Sequence, residues 1–215
     1  MDARFLPPPR ETYQVAYDVA CRQARGLDPA QAAARAGVDF LALAEGGVCL
    51  VPFFGRQYRV TFPSLEIVEP AAAKEPSLIT RVLLLHYLAT ADAAPASGEW
   101  VAFRYLPDGR VYEAAFERRA PRELARVFGQ DKEGFVKAAQ SLGGVALRFG
   151  DASFAFRPLP RLHLACVLWL GDEELPASAQ VLFDSSAGHY LPTEDLAAVG
   201  GMLGGQLLKA KQTGG

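Results

Sequence analysis

Nothing in this 215-residue chain is long and apolar enough to cross a bilayer, which takes about 20 residues. Its longest apolar runs, residues 82–88 and 162–170, each carry a histidine and have the length of core elements. A basic excess is missing too: 22 Lys and Arg face 24 Asp and Glu, for a net charge of −2. That balance argues against a nucleic-acid partner, whose phosphates call for clustered positive charge. The densest arginine group, Arg118, Arg119, Arg122 and Arg126, is interleaved with Glu117 and Glu123 and reads as a solvated helix face. Cysteine is scarce. Cys21, Cys49 and Cys166 are odd in number, far apart and form no Cys-x-x-Cys pair, so buried free thiols are expected and a disulfide framework is not. The opening residues, up to Pro7-Pro8-Pro9, hold no apolar run of signal-peptide length, which with the thiols points to the cytoplasm. Motifs with a fixed mechanism are also lacking. There is no His-Glu-x-x-His and no calcium loop, and the pairs Gly46-Gly47 and Gly143-Gly144 do not fit a phosphate loop or a dinucleotide fingerprint.

What is present is a globular composition. Half the residues are hydrophobic, which excludes a disordered chain, and the length suits one domain with a sizeable core. Residues 11–25 carry Tyr13, Ala16, Tyr17 and Ala20 at helical spacing, closed by Gly26. Asp28-Pro29 supplies an N-cap and a first helical residue for an Ala-rich helix ending at Gly37. Short strands are expected at 48–51, 58–62 and 65–68, with Tyr58, Val60 and Phe62 on the buried face. A joint near 71–76 would set off an N-terminal subdomain of residues 1–70 within a single compact domain spanning 1–215. Residues 77–91 are apolar almost all round and predict a buried central helix. A strand over 100–106 is expected to turn at Pro107-Asp108-Gly109 into Val111-Tyr112. Helices over 113–119, 122–128 and 132–142 follow, then strands at 145–149, 153–156, 162–170 and 180–183, and a last helix from Thr193 to about Lys209. In that helix Gly200, Gly201, Gly204 and Gly205 form a strip open to close approach by another backbone. The pattern is α+β, mostly antiparallel sheet with packed helices.

Chemistry concentrates in residues 158–195. Asp172, Glu173, Glu174, Asp184, His189, Glu194 and Asp195 offer oxygen and nitrogen ligands to a divalent ion. Each also has a plain structural role: Gly171 to Glu174 before Pro176 is turn composition, and Glu194 and Asp195 suit the first turn of a helix. Ser185, Ser186 and His189 invite a nucleophile reading. Asp184 stands where a nucleophile elbow needs its first glycine, however, and a short loop cannot easily span a catalytic triad. A hairpin of 164–170 with 181–183 would place Asp172 and His189 at opposite ends of two strands.

Several stretches in order carry a resemblance: Leu83-Leu84-Leu85-His86-Tyr87-Leu88, Gly98-Glu99-Trp100-Val101-Ala102-Phe103-Arg104, Trp169-Leu170-Gly171-Asp172-Glu173-Glu174, Leu182-Phe183-Asp184 and Tyr190-Leu191-Pro192-Thr193-Glu194-Asp195-Leu196. They resemble a prokaryotic family, found mainly in anaerobes, whose domain has no assigned function and is sometimes joined to a cysteine-rich iron–sulfur module. The resemblance implies a setting near low-potential redox or one-carbon metabolism. The chain lacks the cysteines of that module.

The expected function is a soluble accessory or small-ligand-binding protein. Its candidate ligand-binding residues are Trp169, Asp172, Glu173, Asp184, His189 and Glu194. No metal ligands, catalytic residue or cofactor are assigned, and the partner is a small molecule or a protein, with neither nucleic acid nor membrane. The alternatives are a metal-dependent enzyme using the carboxylate and histidine region 172–195, and a structural partner subunit.

Overall fold

Capping chemistry fixes the first helices of the computed structural model, which describes residues 10–72 and 75–213. The Pro7-Pro8-Pro9 leader and part of the 71–76 segment lie outside the described residues. Helix α1 (Arg10–Arg25) stops where the Gly26 amide folds back on the Gln23 carbonyl. Asp28 then accepts hydrogen bonds from the amides of Ala30 and Gln31, both at 3.0 Å, and starts α2 (Pro29–Ala36) with proline at its first position. Gly37, left-handed at φ +68°, ends it. The buried faces of these helices are small: Ala20 and Ala24 on α1, and Ala32, Ala33 and Ala36 on α2. Methyl groups at these positions let both helices come close to α3 (Leu78–Thr90), which packs against each of them.

Between α2 and α3 runs an antiparallel sheet in chain order, β1 (Asp39–Ala42), β2 (Gly47–Phe53), β3 (Arg56–Phe62) and β4 (Ile67–Val68). Phe54 and Gly55 make the β2–β3 turn with both φ angles positive, the geometry that matches strand twist. Tyr58, Val60 and Phe62 of β3 are buried and Arg59 is exposed, as the alternation predicts. Along α3, the consecutive Val82, Leu83, Leu84 and Leu85 are all out of water, so the helix is buried on every side. The Tyr87 hydroxyl, also buried, donates to the Ala36 carbonyl at 2.6 Å and satisfies an acceptor that α2 leaves open at its end. These elements form one compact unit that reaches Ala94 and includes His189–Leu191.

The second unit comprises Pro95–Gly188 and Pro192–Gly215. Its antiparallel sheet joins β5 (Trp100–Ala102), β6 (Val145–Ala146), β7 (Ala152–Leu159), β8 (Leu162–Trp169) and β9 (Ser178–Asp184) in the order β5-β9-β8-β7-β6. The hairpin of β8 and β9 is therefore central, as the sequence suggested. Leu164 to Leu168 have essentially no exposure on either face, which explains an unbroken apolar run where a half-wet strand would alternate. Helices α4 (Gly109–Arg119), α5 (Pro121–Phe128) and α6 (Lys132–Ser141) follow β5, and α5 and α6 pack on the sheet. Helix α7 (Thr193–Thr213) packs across all three.

Two local expectations are corrected. The strand read over 100–106 ends at Ala102, and the Asp-Gly turn opens a helix where a second strand was expected. Phe103 leaves the sheet to stack on Phe116, with centroids 4.3 Å apart, and reaches Phe183 at 5.9 Å. Burying that ring bends residues 103–105 into a 3-10 turn, and Asp108, at φ +56°, then feeds α4. The glycine strip also divides. Gly200 and Gly204 face Phe116 and Ala120, whereas nothing lies within 4 Å of a side chain built at Gly205.

All three cysteines are free and buried. Burial in apolar surroundings pushes the Cys49 thiol up to about 11 and the Cys166 thiol to about 12, so neither forms the reactive thiolate near neutrality. We expect a thiol reagent at pH 8 to leave both untouched in folded protein and to find three groups after denaturation. An iron–sulfur absorbance band in anaerobically purified protein would overturn this assignment.

Candidate functional site

The carboxylate cluster that dominates the sequence is spread along the fold. Asp184, at the end of β9, is 2% exposed and accepts five hydrogen bonds. Oδ1 takes the Ser97 amide (3.0 Å) and hydroxyl (2.9 Å) together with the Ser186 amide (2.9 Å) and hydroxyl (2.5 Å). Oδ2 takes the Gly98 amide at 2.8 Å. Burial alone would raise the pKa of this acid, but the donors from Ser186 and Ser97 outweigh it and hold the carboxyl far below its ordinary value. Ser185 belongs to the same knot, its hydroxyl donating to Ser97 Oγ at 2.9 Å and its amide to Glu99 O at 2.8 Å. The serines that looked like nucleophiles thus tie the entry of β5 to the end of β9.

Asp172 sits at the other end of the hairpin, about 20 Å away by the rise of a seven-residue strand. It caps its own turn, accepting from the Glu174 amide at 2.8 Å and the Leu175 amide at 2.7 Å. Those two bonds keep its pKa below the ordinary value. Trp169 closes β8 beside this turn, partly buried, and Glu173 is exposed within it. Glu194 is exposed in the first turn of α7.

His189 lies with the first unit, where Nδ1 is 2.6 Å from Asp92 Oδ2. The carboxylate orients the imidazole, and that hydrogen bond, with a second from the Ala94 amide, lowers the pKa of Asp92. Both side chains are about half exposed, in a setting where water competes with the pair. Trp169, Asp172 and Glu173 therefore share one end of the hairpin, and Asp184 stands at the other. Among the described residues, no three His, Cys, Asp or Glu side chains gather as metal ligands do.

His163 lies on β8. It is half-buried, and its Nδ1 is out of water with no hydrogen-bond partner among the described residues. Burial lowers its pKa; the Asp184 carboxylate pulls the other way, and Arg157 adds to the lowering.

A concave site lies where the sequence reading placed none. In the first unit, α1, the residues leading into α3 and the start of α3 border an open cleft of about 710 Å³, within the range of small-molecule pockets. Tyr13, Pro76, Leu78 and Ile79 give it apolar walls, while Gln14, Glu75, Ser77 and Arg81 supply polar groups. Arg81 is held in place by Tyr17. Its guanidinium lies 4.2 Å over the Tyr17 ring, and Nη2 donates to the Tyr17 hydroxyl at 2.6 Å. Nη1 reaches Glu75 at 3.5 Å. Ser77 caps α3 through the Thr80 amide. The signal was available in the sequence: Arg81 is the one Lys or Arg in a mainly apolar helix, and Tyr13 and Tyr17 stand one helical turn apart.

A family model described as Domain of unknown function (DUF3786) matches residues 28–205. No curated protein and no solved structure matches the chain.

Proposed function

Since the chain belongs to the DUF3786 family, whose description assigns no activity, we propose from its own geometry that it is a cytoplasmic accessory protein binding a small ligand in the cleft between α1 and α3. The single observation that carries this reading is the cleft itself. It combines apolar walls with a cation fixed by stacking, so its shape does not have to be organised by the ligand. Supporting a small-molecule partner over nucleic acid is the net charge of −2. No described helix is long and apolar enough to cross a membrane. The resemblance to a family of anaerobes, with its occasional iron–sulfur module, supports a setting in low-potential redox or one-carbon metabolism.

A fragment set of neutral and anionic small molecules tests the binding site. Wild type is compared by thermal shift and by NMR with Ile79→Trp, which fills the cleft. At least one fragment is expected to move resonances of Tyr13, Gln14 and Ile79 and to raise the melting temperature of wild type alone. A ligand at a hundred times its Kd adds about 2.7 kcal/mol, a shift that is easily read. Fragments that bind wild type and Ile79→Trp alike, or that never touch these resonances, would remove the cleft from consideration.

A further inference from the structure

We infer that the cleft takes a small monocarboxylate with an apolar body, and that the ligand's carboxylate replaces Glu75 on Arg81. This rests on the ligand-binding reading above and names the class of ligand. The argument starts from the Arg81–Glu75 contact. The Arg81 side chain is 22% exposed, and Tyr17 holds it through both its ring and its hydroxyl. A guanidinium fixed in this way is best used by a carboxylate that makes two parallel bonds at about 2.7–2.9 Å. Glu75 does less. It reaches Nη1 alone, at 3.5 Å, from a side chain 84% exposed at the rim of the cleft. Such a contact is long, single and open to water, so a carboxylate arriving from within the cleft displaces it at little cost.

Charge count sets the valence of the ligand. Among the described lining residues, Arg81 is the one cation and Glu75 the one anion. Exchanging one carboxylate for another preserves the balance, and Glu75 returns to water, where it is already mostly solvated. A phosphate monoester would bring about a further unit of negative charge to a site where the described residues supply no second cation. The rest of the ligand is specified by the walls. Tyr13, Pro76, Leu78 and Ile79 offer aromatic and aliphatic surface to an apolar body. A free amino acid, whose ammonium would find only the displaced Glu75, fits less well than a simple organic acid.

The test uses three probes of similar body, benzoate, benzyl alcohol and phenyl phosphate, titrated into the full chain and followed by NMR at Gln14, Leu78 and Ile79. Wild type is compared with Glu75→Gln and Arg81→Gln. Benzoate is expected to bind wild type, to bind Glu75→Gln at least threefold more tightly, and to weaken at least tenfold in Arg81→Gln. Glu75 is so exposed that Glu75→Gln folds as wild type does, and it keeps the test valid if Arg81→Gln proves unstable. A purely structural role for the pair would leave benzoate affinity unchanged in Glu75→Gln, and that outcome overturns the inference. Benzyl alcohol binding as tightly as benzoate in all three proteins overturns the ligand class while leaving the cleft a binding site. Phenyl phosphate binding more tightly than benzoate overturns the choice of a monoanion. No shift with any probe overturns the inference, and the broader fragment set then decides whether the cleft binds anything.

Discussion

Gly204→Leu is expected to destabilise the protein by about 2–3 kcal/mol, the scale of overpacking in a close-packed core. A Cβ built at Gly204 stands 2.7 Å from the Ala120 Cβ and 3.3 Å from its Cα. Ala120 cannot retreat. It is fully buried at the junction of α4 and α5, its amide bonded to Phe116 O and its carbonyl accepting from Leu124. One turn earlier on α7, a Cβ at Gly200 would meet the Phe116 ring at 2.7 Å. These two glycines give up helix propensity so that α7 can lie directly on its neighbours. Gly205→Ala makes the control, because nothing lies within 4 Å there and alanine favours a helix by about 1 kcal/mol over glycine. Chemical denaturation should therefore move the two variants in opposite directions. Equal midpoints for wild type and Gly204→Leu would mean that α7 does not seat against Ala120.

Asp184→Ala is expected to cost about 3 kcal/mol or more. Hydrogen bonds to a charged group contribute about 1.5–3 kcal/mol, and removing the carboxylate leaves both Ser186 donors buried without an acceptor. Asp184→Asn keeps one oxygen but points an amide donor at the Gly98 N–H or at the Ser97 and Ser186 donors, so it should recover only part of the loss. The effect has a pH signature. The folded carboxyl has a pKa far below the ordinary value of about 3.9, so its contribution is complete above that value and is lost as the pH falls through the interval below it. The gap in stability between wild type and Asp184→Asn should hold constant from pH 7 to about 5 and narrow as acid is added below about pH 4. A gap that stays constant to pH 2 would show that the charge of Asp184 does not hold the loop.

Much of the fold was legible because local rules and tertiary packing agreed. Asp28-Pro29 and Gly37 bound α2 as capping chemistry requires, and the alternation of Tyr58, Val60 and Phe62 gave β3 its buried face. The apolar run of β8 marked the centre of a sheet, and the pairing with β9 followed from the turn between them. Reading failed where a distant group decided a local conformation. Nothing adjacent to Phe103 says that Phe116 and Phe183 will capture its ring, yet that capture ends β5 and turns an Asp-Gly hairpin signal into the start of α4. The candidate site residues are spread by the strands themselves, as the β8–β9 hairpin implied. Asp172 and Asp184 are near one another in sequence, but a strand that rises about 3.3 Å per residue sets them at opposite ends of the hairpin. Arg81 and Tyr17 are 64 residues apart and meet at 2.6 Å.

By itself the sequence determined what depends on composition and on period: an α+β chain with antiparallel sheets, free cysteines, a buried and mainly apolar α3 and a turn at Asp172. These follow from interactions within a few residues, or from the need to remove apolar surface from water, and both leave a periodic trace in the chain. Only the tertiary structure decided which polar groups would be used against one another. It made Asp184 an acceptor for Ser97, Gly98 and Ser186, left Glu75 and Arg81 loosely paired at a cleft, and set Gly204 against Ala120 while Gly205 stayed free. Hydrogen bonds and close contacts act over about 3–4 Å between groups that the chain can bring from any distance, so no pattern along the sequence announces them.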